Sequence, residues 1–224
     1  MKAGSAAVFL DALGTLVRLE PPAPRLRHLL GEAGFEVTEE RAAAGFAAEI
    51  SYYLAHHLEG SDRERLERLR DRCAVAMMEA LALPGLDQPT ARRLMLEALE
   101  FTAYPDALEA ARALRDDGRV LVVVSNWDCS LPDWLGPTGL LELIDGVVTS
   151  ASVGAAKPNA AMFHRALELA GVEPAGVVHV GDSLDNDVVG ARGVGIRPIL
   201  VQRDGDPPAG VESVRSLTEV PVLL

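Results

Sequence analysis

A chain of 224 residues, 49% of them hydrophobic, can bury one large domain or a core domain carrying an insert. Its 33 acidic residues outnumber 21 basic ones for a net charge of -12, which argues against a nucleic-acid backbone binder, since that class needs a basic face to displace counterions. Two cysteines, Cys73 and Cys129, make no disulfide framework and read as reduced thiols, and no stretch nears the roughly 20 apolar residues of a membrane span.

The opening run through Leu10 carries one lysine and is interrupted by Asp11, too short for a signal peptide, so a cytoplasmic protein is the default. Within it, Ala6–Leu10 is a short apolar run ending on an acid and a glycine turn, the pattern of a buried parallel strand. From Pro21 to Glu100 no strand-like run occurs. Instead Arg25–Ala33, Glu39–His57, Asp62–Leu83 and Thr90–Leu99 carry apolar residues at helical spacing. Thr38 lacks a full capping box, whereas Ser61 with Glu64 fits one, and Pro84-Gly85 and Gln88-Pro89 punctuate the last two helices.

Strand-like runs resume at Val120–Val124, Gly146–Thr149, Val177–Val180 and Pro198–Val201. Helical segments at Pro105–Asp116, Asn159–Ala170 and Asp185–Val194 lie among them. This alternation predicts an α/β fold, a Rossmann-like parallel sheet with helices on both faces, with strand one central and the Val177 strand beside it. The sheet domain takes residues 1–18 and 101–224, and a small all-helical domain takes 19–100. In an open α/β sheet the crevice lies beyond the carboxyl ends of the strands. An insert leaving after strand one would overhang that crevice as a lid, unless it is a passive helical domain.

Four strand ends, or the loops after them, present polar groups: Asp11, then Ser125 and Asn126, then Lys157, then Asp182. A lone strand-end aspartate is often a helix cap, but four such positions in chain order would gather at one edge of a parallel sheet. The short motifs at these positions, Asp11-Ala12-Leu13-Gly14-Thr15-Leu16, Ser125-Asn126, Lys157-Pro158 and Gly181-Asp182-Ser183 with Asp187, resemble the four motifs of the haloacid dehalogenase-like hydrolase superfamily. The resemblance covers the whole chain except the insert, which is similar to the helical cap such proteins carry after the first motif.

The resemblance implies a nucleophilic role for Asp11 through a covalent intermediate. Bringing a carboxylate up to a phosphate dianion costs about 4 kcal/mol at 4 Å and an effective dielectric near 20, so a cation must offset it. Asp11, Asp182 and the backbone carbonyl of Leu13 would offer hard oxygen ligands to Mg²⁺. Carboxylates of Asp11 and Asp182 more than about 8 Å apart would exclude a shared ion. Asp187 would be a further ligand or orient one, or simply sit favourably at a positive helix end. Ser125 and Asn126 would donate to the transferring oxygens, and Lys157 would balance Asp11 and the phosphate of a small phosphorylated substrate. Gly14 permits a turn, and Thr15 would hydrogen-bond Asp11 and orient it.

One position departs from the phosphatase pattern. Family phosphatases carry a second aspartate two residues after the nucleophile as general acid and base, and here that position is Leu13. Dehalogenases of the superfamily also lack an acid there, because halide leaves without a proton. The fourth motif points the other way: Asp182, Asp185 and Asp187 beside Asp11 would repel one another without a cation. A Mg²⁺-dependent phosphatase is therefore favoured, with a 2-haloacid dehalogenase and a binding or regulatory protein with a spent site as alternatives. Trp127, Asp128 and Trp134 are candidates for the crevice wall, with Asp128 a weak substitute acid. His56-His57 points its rings to different helix faces and reads as exposed, and His179 as a residue packed in the sheet. The substrate and the oligomeric state stay open.

Overall fold

The computed structural model describes residues 6–224; residues 1–5, part of the stretch read for a targeting signal, lie outside the described residues. β1 (Ala7–Leu10) is four apolar residues in succession, all buried, as a strand covered on both faces requires. The chain leaves the sheet through β2 (Val17–Leu19) and runs through α1 (Pro22–Glu32), α2 (Glu39–His56), α3 (Arg63–Leu81) and α4 (Gln88–Ala98). It returns through β3 (Phe101–Ala103), which pairs with β2 in a two-stranded ribbon absent from the sequence reading. Strands of three residues are too short to show a period.

Then come α5 (Ala107–Asp116), β4 (Val120–Ser125), α6 (Leu131–Leu135), β5 (Gly146–Thr149), α7 (Ser150–Val153) and α8 (Ala160–Ala170). The chain ends with β6 (Val177–Gly181), α9 (Gly190–Gly193), β7 (Arg197–Val201) and the two-residue β8 (Ser213–Val214), followed by a short helical turn. The strands form one six-stranded parallel sheet in the order β5-β4-β1-β6-β7-β8. β1 is central with β6 at its side, as the sequence predicts.

The alternation of β1 divides its side chains between two helical layers. Ala7 and Phe9 join Val122, Val124, Met162 and Phe163 in one buried cluster, so α8 covers that face. Leu10 meets Ala107, Ala111 and Leu114 of α5 on the other. Register places Leu10 opposite Val123 and Val180, which brings the carboxyl ends of β1, β4 and β6 to one edge.

Two local readings need correction. The N-cap of α3 is Asp62, whose carboxylate accepts from Arg65 N–H at 2.8 Å; Ser61 instead receives the Arg65 guanidinium at 3.0 Å. An aspartate directly before the first helical residue outcompetes a serine one position earlier. The segment read as a helix over Asp185–Val194 is a π-helical turn at Leu184–Val189 followed by the single turn of α9. Glycines at 190 and 193 weaken the α-helix there, and Val188 N–H reaches back five residues to the Ser183 carbonyl at 3.2 Å.

The chain divides into two compact units, residues 1–18 with 102–224 and residues 19–101. Within the helical unit, Glu49 of α2 is only 5% exposed. Burial pushes its carboxyl up to about 7, with a hydrogen bond to Cys73 of α3 opposing the shift. An acid raised on folding costs stability as pH climbs from its unfolded value near 4.5 to the folded one, a loss of about 3 kcal/mol that is complete above pH 7. Glu49→Gln should therefore raise the melting temperature at pH 8 and give no gain at pH 4. An equal gain at both pH values would disprove this origin.

Candidate active site

Asp11 stands one residue past β1, and its N–H donates to the Val180 carbonyl at 2.9 Å, extending the ladder to β6. Its carboxylate is buried, and Oδ1 accepts both the Ser125 hydroxyl at 3.1 Å and Lys157 Nζ at 2.6 Å. Ser125 is the last residue of β4, so the parallel register itself delivers the two groups to one another. Lys157 is buried as well, and the same Nζ lies 2.6 Å from Asp187 Oδ1. A single ammonium thus serves two carboxylates.

Asn126 holds that ammonium in place from behind. Its Oδ1 accepts Lys157 N–H at 2.7 Å and its Nδ2 donates to the Lys157 carbonyl at 3.1 Å. The side chain read as a phosphate donor is therefore occupied with the lysine backbone. A sequence cannot reveal this, because the two residues are distant in the chain and meet only when β4 and the loop after α7 come together. The lysine is followed by Pro158 through a cis peptide bond.

Asp182 follows β6 and presses against the loop after β1. Gly14 has φ +85°, and a Cβ there would overlap the Asp182 carboxylate, so the position demands glycine on two counts. A Cβ on Gly181 would likewise overlap the Asp187 carboxyl group. One oxygen from each of Asp11, Asp182 and Asp187 lies within 4.8 Å of the other two, inside the limit for a shared ion. Asp185 is exposed and stands outside this group, since the wide π turn directs Asp187 inward and leaves Asp185 to solvent. Leu13 is 45% exposed on the loop between Asp11 and Gly14.

The charges divide unevenly. Burial works against the Asp187 anion, but Lys157 and His179 outweigh it and hold the carboxyl well below the usual range. Burial raises Asp11, Lys157 only partly opposes this, and the charge of Asp187 adds to it. Lys157 is raised, because the two carboxylates outweigh its desolvation. Asp182, although the residue is exposed, is pushed up to about 6, chiefly by burial of its carboxyl and then by Asp11 and Asp187.

Several candidate residues take other roles. Thr15 Oγ1 is buried with no hydrogen-bond partner among the described residues, so it does not orient Asp11 through a hydrogen bond. Asp128 is buried, with Oδ1 accepting Ser130 N–H at 2.7 Å, the geometry of a turn brace. Trp127 is buried and its carbonyl accepts the Ser150 hydroxyl at 3.0 Å; Trp134 is half-buried, donating to Ser130 Oγ at 3.2 Å. His56 and His57 are half-buried, their Nδ1 atoms against the carbonyls of Tyr52 and Leu54.

Two residues carry contacts beyond what the sequence reading gave them: His179, read only as packed in the sheet, and Arg203, not named there. His179 places Nε2 2.8 Å from Asp187 Oδ1; its one signal was an imidazole in an otherwise apolar strand. Arg203 lies 3.7 Å over the Tyr104 ring and donates to the Thr15 carbonyl and to Asp106 Oδ2, each at 2.9 Å. It ties the segment after β7 to the loop that carries Asp11.

Comparison with known proteins places the chain by sequence and by fold. The family model for haloacid dehalogenase-like hydrolases matches residues 6–195. The haloacid dehalogenase-like hydrolase domain-containing protein 3 of Bos taurus is 41% identical over 133 residues, 59% of this chain and 49% of that protein. A glyceraldehyde 3-phosphate phosphatase of Methanothermobacter thermautotrophicus is 34% identical over 103 residues, 45% of each chain. The matched stretch thus spans about half the length of these curated relatives. Among solved structures, a HAD phosphatase from Thermococcus onnurineus superposes with TM-score 0.66 at 26% identity, covering 97% of this chain and 96% of that one. A dehalogenase shares the fold at TM-score 0.72 and 22% identity, covering 100% and 98%. With the family model spanning most of its length and the four motif loops meeting at one sheet edge, the chain belongs to the haloacid dehalogenase-like hydrolases and is an enzyme.

Proposed function

We propose that the enzyme is a Mg²⁺-dependent phosphatase acting on a small phosphorylated metabolite, with Asp11 taking up the phosphoryl group. The observation that carries this reading is the cluster of Asp11, Asp182 and Asp187 oxygens within 4.8 Å of one another. Hard carboxylate oxygens suit Mg²⁺, and Gly14 leaves open the space against Asp182 that a side chain would fill. Asp11, Asp182 and the Leu13 carbonyl would hold the ion. Asp187, both of whose oxygens already accept protein donors, would anchor Lys157. Bound there, Mg²⁺ supplies positive charge that screens a phosphate dianion from the carboxylates.

The residues then divide the work. Asp11 attacks phosphorus as the bond to the leaving oxygen breaks, and water later cleaves the aspartyl phosphate. Lys157 holds the Asp11 carboxylate in place and offsets charge on the transferring group. Ser125 fixes Asp11 Oδ1, and backbone N–H groups after β4 would donate to the phosphoryl oxygens. The helical unit, which leaves the sheet directly after the Asp11 loop, would act as a cap that selects substrate. Relatives named as phosphatases support this class of substrate.

Leu13 favours a second reading, hydrolysis of a 2-halo acid through an ester at Asp11, because such a reaction needs no acid at that position. Assays of p-nitrophenyl phosphate, acetyl phosphate and 2-chloropropionate, each with Mg²⁺ and with EDTA, separate the two. Phosphate release that disappears in EDTA and returns with Mg²⁺ is the expected result. Chloride release undiminished in EDTA would overturn the phosphatase reading.

A further inference from the structure

We propose that His179 is a positioning residue of this reaction, holding Asp187 so that Asp187 holds Lys157 against Asp11; this rests on the reading of Asp11 as nucleophile. The three contacts run in series at 2.8, 2.6 and 2.6 Å, and all four side chains are buried. His179 sits in the middle of β6, paired in register with Phe9, among valines and a glycine. A buried imidazole in such a strand is costly unless it is hydrogen-bonded.

The hydrogen bond it makes has a defined direction. Nε2 faces a carboxylate oxygen, which can only accept, so Nε2 carries the proton. Nδ1 has no hydrogen-bond partner among the described residues, so the contact to Asp187 is made by Nε2 alone. The ring plane is set by the edge of Phe163, with centroids 5.1 Å apart at 89°. Phe163 is itself wedged where a Cβ on Gly190 would stand, at the start of α9.

This donor completes the hold on Asp187. Oδ1 accepts from Lys157 and His179, and Oδ2 accepts Ser183 N–H at 3.0 Å. With three donors on its two oxygens the carboxylate is fixed in place, and Lys157 Nζ is kept at the distance that pins Asp11. Without the imidazole, only Lys157 on Oδ1 and Ser183 N–H on Oδ2 remain, and the carboxylate is free to shift together with the ammonium. Lys157 would then follow it away from Asp11.

The test compares His179→Gln, whose amide nitrogen reaches the place of Nε2, with His179→Leu, which removes the donor. With p-nitrophenyl phosphate and saturating Mg²⁺, the Leu variant should lose about tenfold or more in kcat, at the scale of a small misplacement of reacting groups, with KM little changed. The Gln variant should recover most of that loss even if both melt at the same lowered temperature, and calorimetric Mg²⁺ affinity should be unchanged in both. Wild-type kcat in the Leu variant, or equal losses in the two, would overturn the proposal. If the Leu variant does not fold, His179→Asn, whose amide stops short of Asp187, replaces it. Should the wild type cleave no phosphate ester, the phosphatase reading fails by itself. The His179 proposal is then decided by a crystal structure of the donor-less variant. Lys157 Nζ drawn away from Asp11 supports it, and an intact contact refutes it.

Discussion

Asp11→Asn is expected to remove turnover, by a factor on the order of 10⁶ if it follows other enzymes stripped of a covalent nucleophile. An amide is isosteric with the carboxylate but has no charge to direct at phosphorus. The fold should survive the change. Burial raises the Asp11 carboxyl, so its charge opposes folding as pH rises, and that cost disappears with the amide. Lys157 keeps Asp187 as counter-ion. The variant should therefore remain folded at neutral pH while showing no phosphate release and no phosphoryl adduct by mass spectrometry. Turnover within tenfold of the wild type would exclude Asp11 as nucleophile.

Leu13→Asp should have the opposite effect, raising hydrolysis of alkyl phosphates by up to the hundred- to ten-thousandfold of a well-placed general acid, about 3 to 5 kcal/mol of barrier. The wild type, without an acid at 13, should cleave aryl and acyl phosphates far better than alkyl ones, since those leaving groups need little protonation. Leu13 is 45% exposed, so an aspartate there meets no burial cost in the loop itself. The gain will fall short where nothing fixes the new carboxyl, because catalysis requires its orientation as well as its presence. A dehalogenase would gain nothing. A Leu13→Asp protein that binds Mg²⁺ and stays equally poor on alkyl phosphates would count against the phosphatase.

The sheet and its functional edge were legible because each relevant strand is a buried run, apolar but for His179, that stops at a polar residue. Parallel strands need that burial on both faces, and the stops at Asp11, Ser125 and Asp182 mark where it ends. The four long helices of the insert were legible from their apolar stripes. What the residues do to one another was not. Asn126 looks like a ligand for phosphate until Lys157, 31 residues away, is found in its grip. Thr15 has the right chemistry to orient Asp11, but its hydroxyl has no hydrogen-bond partner among the described residues. His179 looks like strand packing, and its function depends on Asp187 lying eight residues on, across a π turn that no helical periodicity announces.

The single ammonium shared by Asp11 and Asp187 has a thermodynamic consequence. Among the described residues Lys157 leaves the third carboxylate, Asp182, without an ion-pair partner, and a pocket of one ammonium and three carboxylates repels an incoming anion. Phosphate and a divalent cation should thus bind with positive cooperativity, and the coupling is necessarily reciprocal: whatever factor the cation adds to phosphate affinity, phosphate adds to that of the cation. Each ligand then binds more weakly alone than in the presence of the other. Inorganic phosphate by itself should leave the melting temperature where it was, and should raise it once Mg²⁺ is present.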